Sequence, residues 1–189
     1  MSTILSVSRP AQVMQWRTCA VVASVAFFVP FTLGGPQVLV GTIVNAALIY
    51  AALHGRLRHA LPIVLLPGLA VLSRGVLFGS LTPVLSVLLP YIWLGNLLLV
   101  ACIQFLNRGE RSAVVAVIAA CVAKTLVLYA SAWTLAQAGL VPSVMVRSMG
   151  GMQLLTALAG AAVVLVFTKS YDRRRGDQGL GRFIEFKLD

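Results

Sequence analysis

The chain has 189 residues, of which 59% are hydrophobic and 11% charged, with a net charge of +10 and a mean hydropathy of +0.94. About a quarter of the residues in a soluble domain are charged, so this composition excludes a soluble globular protein and indicates an integral membrane protein. At about 20 residues per membrane span, the length leaves room for one helical bundle and no separate soluble domain. We therefore expect an all-α polytopic membrane protein.

Six apolar runs follow one another and predict a bundle of six transmembrane helices. In chain order they are Thr18–Leu33, Val38–Leu53, Ala60–Phe78, Leu81–Leu106, Ser112–Ala138 and Met149–Thr168. The expected organisation is an N-terminal segment (1–17), a transmembrane domain (18–168) and a basic tail (169–189). The first two runs are each about 16 residues long and are separated by Gly-Gly-Pro-Gln at 34–37, so one bent re-entrant unit is an open alternative.

The arginines and lysines predict that both termini are cytoplasmic, because cytoplasmic loops carry the excess of these residues. They lie before the first run and after the second, fourth and sixth runs. The loops after the first, third and fifth runs contain almost none. The residues are Arg9, Arg17, Arg56, Arg58, Arg108, Arg111, Lys169, Arg173, Arg174 and Arg175. The first run lacks a small-residue cleavage site, which favours an uncleaved helix over a signal peptide. We expect a multi-pass protein of the plasma (inner) membrane with a flexible or interfacial tail at 172–177.

Catalytic and metal-binding patterns are missing from the sequence. The three cysteines, Cys19, Cys102 and Cys121, are scattered singly, and His54 and His59 lie five positions apart with no carboxylate nearby. No Ser-His-Asp set or GxxxxGK motif occurs. We expect no enzyme activity, no cofactor and no metal site. The dispersed basic residues favour topology and anionic lipids over nucleic acid.

Two cations, Arg74 and Lys124, lie inside apolar stretches that contain no acidic residue. All five acids are in a loop or the tail: Glu110, Asp172, Asp177, Glu185 and Asp189. A charge in hydrocarbon costs a few kcal/mol and usually faces the bundle interior or a cavity. Arg74 and Arg147 are expected near the outer side, and Lys124 about 18 Å from the cytoplasmic start of its helix. The three are expected to line an outward-opening vestibule with Lys124 at its base, where an external anion binds.

Neutral polar residues in the same apolar runs complete the predicted binding site, because ligand pockets combine apolar walls with a few convergent polar groups. The predicted substrate-binding residues are Gln37, Asn45, Arg74, Tyr91, Asn96, Lys124 and Gln153. A purely structural interpretation is the alternative. In it, Lys124 snorkels, Arg74 contacts outer headgroups, and the amides bond across helices.

Small residues form stripes on two of the predicted helices. The stripe in the first helix consists of Ala20, Ala23, Ser24 and Ala26, and the stripe in the sixth consists of Ala157, Gly160 and Ala161. Small residues at such spacing let helices approach closely. The first stripe is a candidate docking surface for another membrane subunit, and ordinary packing within the bundle is the alternative.

Five segments that contain these polar residues resemble the substrate-binding S components of energy-coupling factor (ECF) transporters, within a group often mislabelled as iron hydrogenase. The segments are GPQVLVGTIVNA (35–46), LPGLAVLS (66–73), PYIWLGN (90–96), AKTLVLY (123–129) and GMQLLTAL (151–158). The resemblance covers nearly the whole bundle. It gives no support to the hydrogenase label, because an iron–sulfur enzyme needs clustered cysteines.

The resemblance implies a six-helix protein that binds a vitamin, a precursor or a metal with high affinity from outside. It also implies a transmembrane T component and two ABC ATPases as partners, with docking through the stripe at Ala20 and Ser24. The first outer loop, which often gates the site in S components, is very short here.

Two alternatives stay open. One is a non-transporting membrane subunit or anchor that packs on partner helices and binds anionic lipid. The other is a stand-alone facilitator, for which inverted repeats are expected.

Overall fold

A computed structural model describes the backbone of residues 8–33, 36–74, 82–107 and 113–185, and the side chains of residues 16–33, 36–73, 84–107, 113–168 and 170. Over these ranges every regular element is an α-helix. The helices are α1 (Ser8–Thr32), α2 (Gln37–His54), α3 (Leu57–Arg74), α4 (Thr82–Leu106), α5 (Ala113–Gln137), α6 (Val144–Met149) and α7 (Gly151–Glu185). The predicted all-α class is confirmed.

The apolar length of the helices suggests a membrane-embedded protein. Within the described ranges, four stretches are long and apolar enough to cross a membrane: Gln37–His54, Val84–Leu106, Ala113–Gln137 and Val144–Thr168. The apolar parts of α1 and α3, Trp16–Thr32 and Leu57–Ser73, are shorter.

The C-terminal part of the chain differs from the sequence prediction in two details. A short helix, α6, precedes the last long helix, and Gly150 separates the two. The last helix, α7, then continues beyond Thr168, where the predicted run ends, to Glu185, so the segment at 172–177 is helical.

Contacts between helices fix their relative directions. Helices α2 and α7 run parallel, because Gly41 lies next to Thr156 and, farther along both helices, Ala46 lies next to Gly160. Helix α5 runs antiparallel to them, since its C-terminal half contacts Gly150 through Tyr129, while Lys124, earlier in α5, contacts Asn45 farther along α2. We call the end of the bundle that holds Gln37 and Ser148 the Ser148 end.

The opposite end of the bundle is the Gly55 end. There the side-chain amide of Gln104 in α4 donates to the carbonyl of Gly55, at 3.1 Å. The ring of Trp16 in α1 lies with its centroid 4.4 Å from that of His59 in α3. Helix α2 thus reaches from one end of the bundle to the other.

The core is divided between the two halves of the bundle. A larger cluster fills the Gly55 half and includes Leu48, Ile63 and Leu99. A smaller cluster in the Ser148 half includes Leu88, Leu128 and Met149. At that end α5 ends at Gln137, and the turn that follows contains Gly139, whose φ of 71° is accessible to glycine without a Cβ penalty.

Candidate functional site

Lys124 lies in the middle of the bundle and is 2% exposed. It is 11 positions from the first residue of α5 and 13 from the last, which places it about 17 Å and 20 Å from the two ends of that helix. Its ammonium donates to the side-chain oxygen of Asn45, with Nζ and Oδ1 2.6 Å apart. Asn45 is itself 1% exposed. The predicted inward-facing cation therefore meets a neutral amide from a neighbouring helix.

The hydrogen bonding continues from Asn45 into α7. The Nδ2 of Asn45 donates to Oγ1 of Thr156 at 3.1 Å. The Thr156 hydroxyl donates to the backbone carbonyl of Gln153 at 3.2 Å. A single polar chain thus joins α5, α2 and α7 at mid-depth. We call Lys124, Asn45 and Thr156 the polar triad.

Close packing of α2 on α7 positions Asn45 and Thr156. A Cβ added at Gly160 would lie 2.7 Å from the backbone nitrogen of Ala46 and 2.9 Å from the carbonyl oxygen of Thr42. A Cβ at Gly41 would lie 3.0 Å from the Thr156 side chain. The two glycines let the backbones approach, as small residues do at membrane helix interfaces, and bring the short Thr156 side chain within hydrogen-bonding distance of the Asn45 amide.

The ammonium of Lys124 has capacity for further acceptors. A protonated lysine carries three N–H donors. Among the described residues, Asn45 accepts a hydrogen bond from one of them. The side chains of all five acidic residues lie outside the described ranges. A buried charge with a neutral partner is costly. Chemically, the triad can accept an anionic or strongly hydrogen-bond-accepting group.

Asn96 and Gln37 lie apart from the triad. Asn96 is buried, and its Nδ2 donates to the backbone carbonyl of Val64 in α3 at 3.2 Å. Gln37 accepts a hydrogen bond from the Ser148 hydroxyl at 3.5 Å, at the Ser148 end. In these contacts both amides join neighbouring helices.

The other predicted site residues are distributed around the bundle. Tyr91 is 36% exposed on α4, and Gln153 is half-buried with its carbonyl bonded to Thr156. Arg74 is the last residue of α3, and its side chain lies outside the described ranges. On the predicted docking stripe, Ala20 and Ser24 are exposed and Ala23 packs against the core.

A pocket of about 470 Å³ opens at the Ser148 end between α5, α6 and α7. It is lined by Tyr129, Ser143, Val144, Val146, Arg147 and Gly151. Arg147 was expected to share a vestibule with Lys124, but Lys124 does not line this pocket. Tyr129 and Lys124 are five positions apart on α5, which turns them about 140° from each other around the helix axis.

Sequence reasoning missed Thr156 and the polar wall of the pocket. Thr156 lies four positions before Gly160, so the small-residue stripe carried a signal for it, because positions four apart share a helix face. No such signal pointed to Ser143 or Tyr129, because no periodic sequence pattern predicts the turn that brings α6 back toward α5.

Comparison of the chain with protein-family models, with curated proteins and with solved structures gives no match.

Proposed function

We propose that this protein is the substrate-binding component of an ECF-type importer that captures a small anionic or polar micronutrient. The observation that carries the proposal is the polar triad. Lys124 is a cation buried at mid-depth whose described hydrogen-bond partner is a neutral amide. Ionisable groups at this depth are expensive and typically mark a substrate pathway.

In the proposed orientation, six helices cross the membrane and the Gly55 end is cytoplasmic. The exposed arginines Arg17, Arg56 and Arg58 lie at or next to this end, whereas the Ser148 end has Arg147. The positive-inside rule then places the Gly55 end and both termini in the cytoplasm. The ligand arrives from the Ser148 end, outside the cell.

The ligand's anionic group takes the N–H donors of Lys124 that Asn45 does not use. Charge-assisted hydrogen bonds of this kind are about twice as strong as neutral ones. Asn45 holds the ammonium in place, and Thr156 holds Asn45. Gln153, whose carbonyl accepts a hydrogen bond from Thr156, is a proposed further contact, whereas Gln37 and Asn96 lie apart from the triad. No covalent chemistry takes place.

Transport requires partners, because the sequence has no nucleotide-binding motif. A transmembrane T component and two ABC ATPases are the proposed partners. The exposed Ala20 and Ser24 on α1 leave a shallow surface where a partner helix can pack closely.

A non-transporting membrane subunit is the second candidate. The amide contacts of Asn45 and Asn96 favour it, because both join helices within the bundle. In that case Lys124 and Asn45 specify how the helices pack, and no soluble ligand binds.

Native mass spectrometry of the gently purified protein tests the proposal. We expect a defined small-molecule adduct in the wild-type protein and its loss in Lys124→Met. Thr125→Val is the matched control, because Thr125 is a buried neighbour whose hydroxyl donates within α5 to the carbonyl of Cys121. It should keep the adduct. Lipid adducts alone, unchanged by Lys124→Met, would favour the non-transporting subunit.

A further inference from the structure

Three residues with polar side chains, Arg147, Tyr129 and Ser143, line the pocket at the Ser148 end. Within the described part of the chain, none of these side chains forms a hydrogen bond or ion pair with another side chain. Arg147 and Ser143 are exposed. A cation and two hydroxyls that converge on one pocket can bind an anion with several oxygen acceptors.

The pocket borders the lipid-facing surface of α5. Exposed side chains recur on that helix every three or four positions, which places them on one face. They are Val115, Ile118, Val122, Leu126, Tyr129 and Trp133, each at least 41% exposed. The opposite face holds the buried Val117, Cys121 and Lys124. The pocket therefore opens where an apolar stripe reaches the end of the bundle.

Tyr129 and Trp133 indicate that the Ser148 end of α5 lies at a membrane interface. Both rings are about half-exposed and lie four positions apart on the stripe. Tyrosine and tryptophan are enriched where hydrocarbon meets headgroups. The Tyr129 ring is held against the chain turn, because a Cβ at Gly150 would lie 2.9 Å from its Cδ2 atom. The ring thus forms a fixed wall between the pocket and the apolar stripe.

We propose that this pocket binds the phosphodiester headgroup of an anionic phospholipid, with one acyl chain along the α5 stripe. Arg147 binds two phosphate oxygens through its planar fork, and Ser143 and Tyr129 donate to the remaining oxygens. The described lining residues include no carboxylate, so they offer no partner to the cationic end of a zwitterionic headgroup. The site is separate from the polar triad and does not depend on the proposed transport function.

The test is a lipid titration of the delipidated protein in detergent, followed by native mass spectrometry. The probes are phosphatidylglycerol, glycerol 3-phosphate and inorganic phosphate. We expect Arg147→Gln to weaken phosphatidylglycerol binding at least about fivefold, because it removes the charge and the fork. Tyr129→Phe, which removes only the hydroxyl, should weaken it about two- to threefold.

Arg56→Gln is the matched control, since Arg56 is an exposed arginine at the opposite end of the bundle. It should change the affinity by less than about twofold, as should Lys124→Met. An equal loss of phosphatidylglycerol affinity in Arg56→Gln and Arg147→Gln would contradict the proposed site. Glycerol 3-phosphate or inorganic phosphate should not compete with the lipid at equal concentration. Competition at that concentration would contradict a lipid as the ligand of the pocket, because the acyl chain would then add nothing to the binding affinity. Tyr129→Phe keeps the test valid if Arg147→Gln fails to fold.

Discussion

The ammonium of Lys124 and the amide oxygen of Asn45 lie 2.6 Å apart in the bundle core, although the two residues are 79 positions apart in sequence. Each is at most 2% exposed. Within the described chain the partner of the ammonium is this neutral amide and not a carboxylate, so the energetics of each side chain depend on the other. Substituting one residue should therefore change the effect of substituting the other.

A double-mutant cycle on this pair should give a coupling free energy of about 1 to 2 kcal/mol. Neutral hydrogen bonds between membrane helices average about 0.6 kcal/mol, and a bond to a charged group is stronger. Asn45→Leu leaves the ammonium without its acceptor and should lower the free energy of unfolding by about 2 kcal/mol. In the Lys124→Met background the same change should cost much less. Unfolding free energies from steric trapping in bicelles would measure the cycle.

Lys124→Met alone should leave the ligand-free protein at least as stable as the wild type. The change removes a charge whose burial costs several kcal/mol, and this outweighs the cost of about 1 to 3 kcal/mol for an unpaired Asn45 oxygen. Ligand binding should nevertheless be lost. A variant that binds no ligand and is also strongly destabilised would indicate that Lys124 stabilises the fold.

Thr156→Val should destabilise the protein and weaken ligand binding. Thr156→Ser, which retains the hydroxyl, should have a smaller effect on both. Valine keeps the volume but leaves the Nδ2 of Asn45 without its acceptor, at a cost of about 1 kcal/mol. Because Asn45 then no longer holds Lys124 in one position, affinity should fall several-fold. Isothermal titration calorimetry with the identified ligand would measure this. Thr125→Val should change both quantities little, and equal effects in the two valine variants would contradict the role of Thr156.

Gly160→Ala should force α2 and α7 apart. The added Cβ would meet backbone atoms of Ala46 and Thr42 within 3 Å, and backbone cannot rotate away as a side chain can. Overpacking of this kind costs about 1 to 3 kcal/mol, and the Asn45–Thr156 bond should lengthen. Gly151→Ala is the control, since a Cβ there meets no atom within 4 Å. A thermal unfolding assay in detergent should show a lower midpoint for Gly160→Ala only.

Much of the fold follows from the sequence, because apolar runs and basic residues are one-dimensional patterns. The runs predict α2, α4 and α5 to within one residue at each end, and the burial of Lys124 and Asn45 follows from their place inside such runs. The short α6 was not predictable, since it lies almost entirely before the run that begins at Met149 and its six residues are too few to show a helical period. The pairing of Lys124 with Asn45 depends on how three helices pack, which local spacing does not encode. For the same reason, sequence alone could not separate the Arg147 pocket from Lys124.

The orientation of the bundle can be tested with single cysteines. In a background with Cys19, Cys102 and Cys121 replaced by alanine, Ser143→Cys and Arg56→Cys place a thiol at exposed positions of opposite ends. If the Ser148 end is outside, a membrane-impermeant maleimide added to intact cells should label Ser143→Cys. Arg56→Cys should be labelled only after the cells are permeabilised, because arginine-rich ends stay in the cytoplasm. Labelling in the reverse pattern would invert the topology, and ligand would then reach Lys124 from inside the cell, which is incompatible with capture for import.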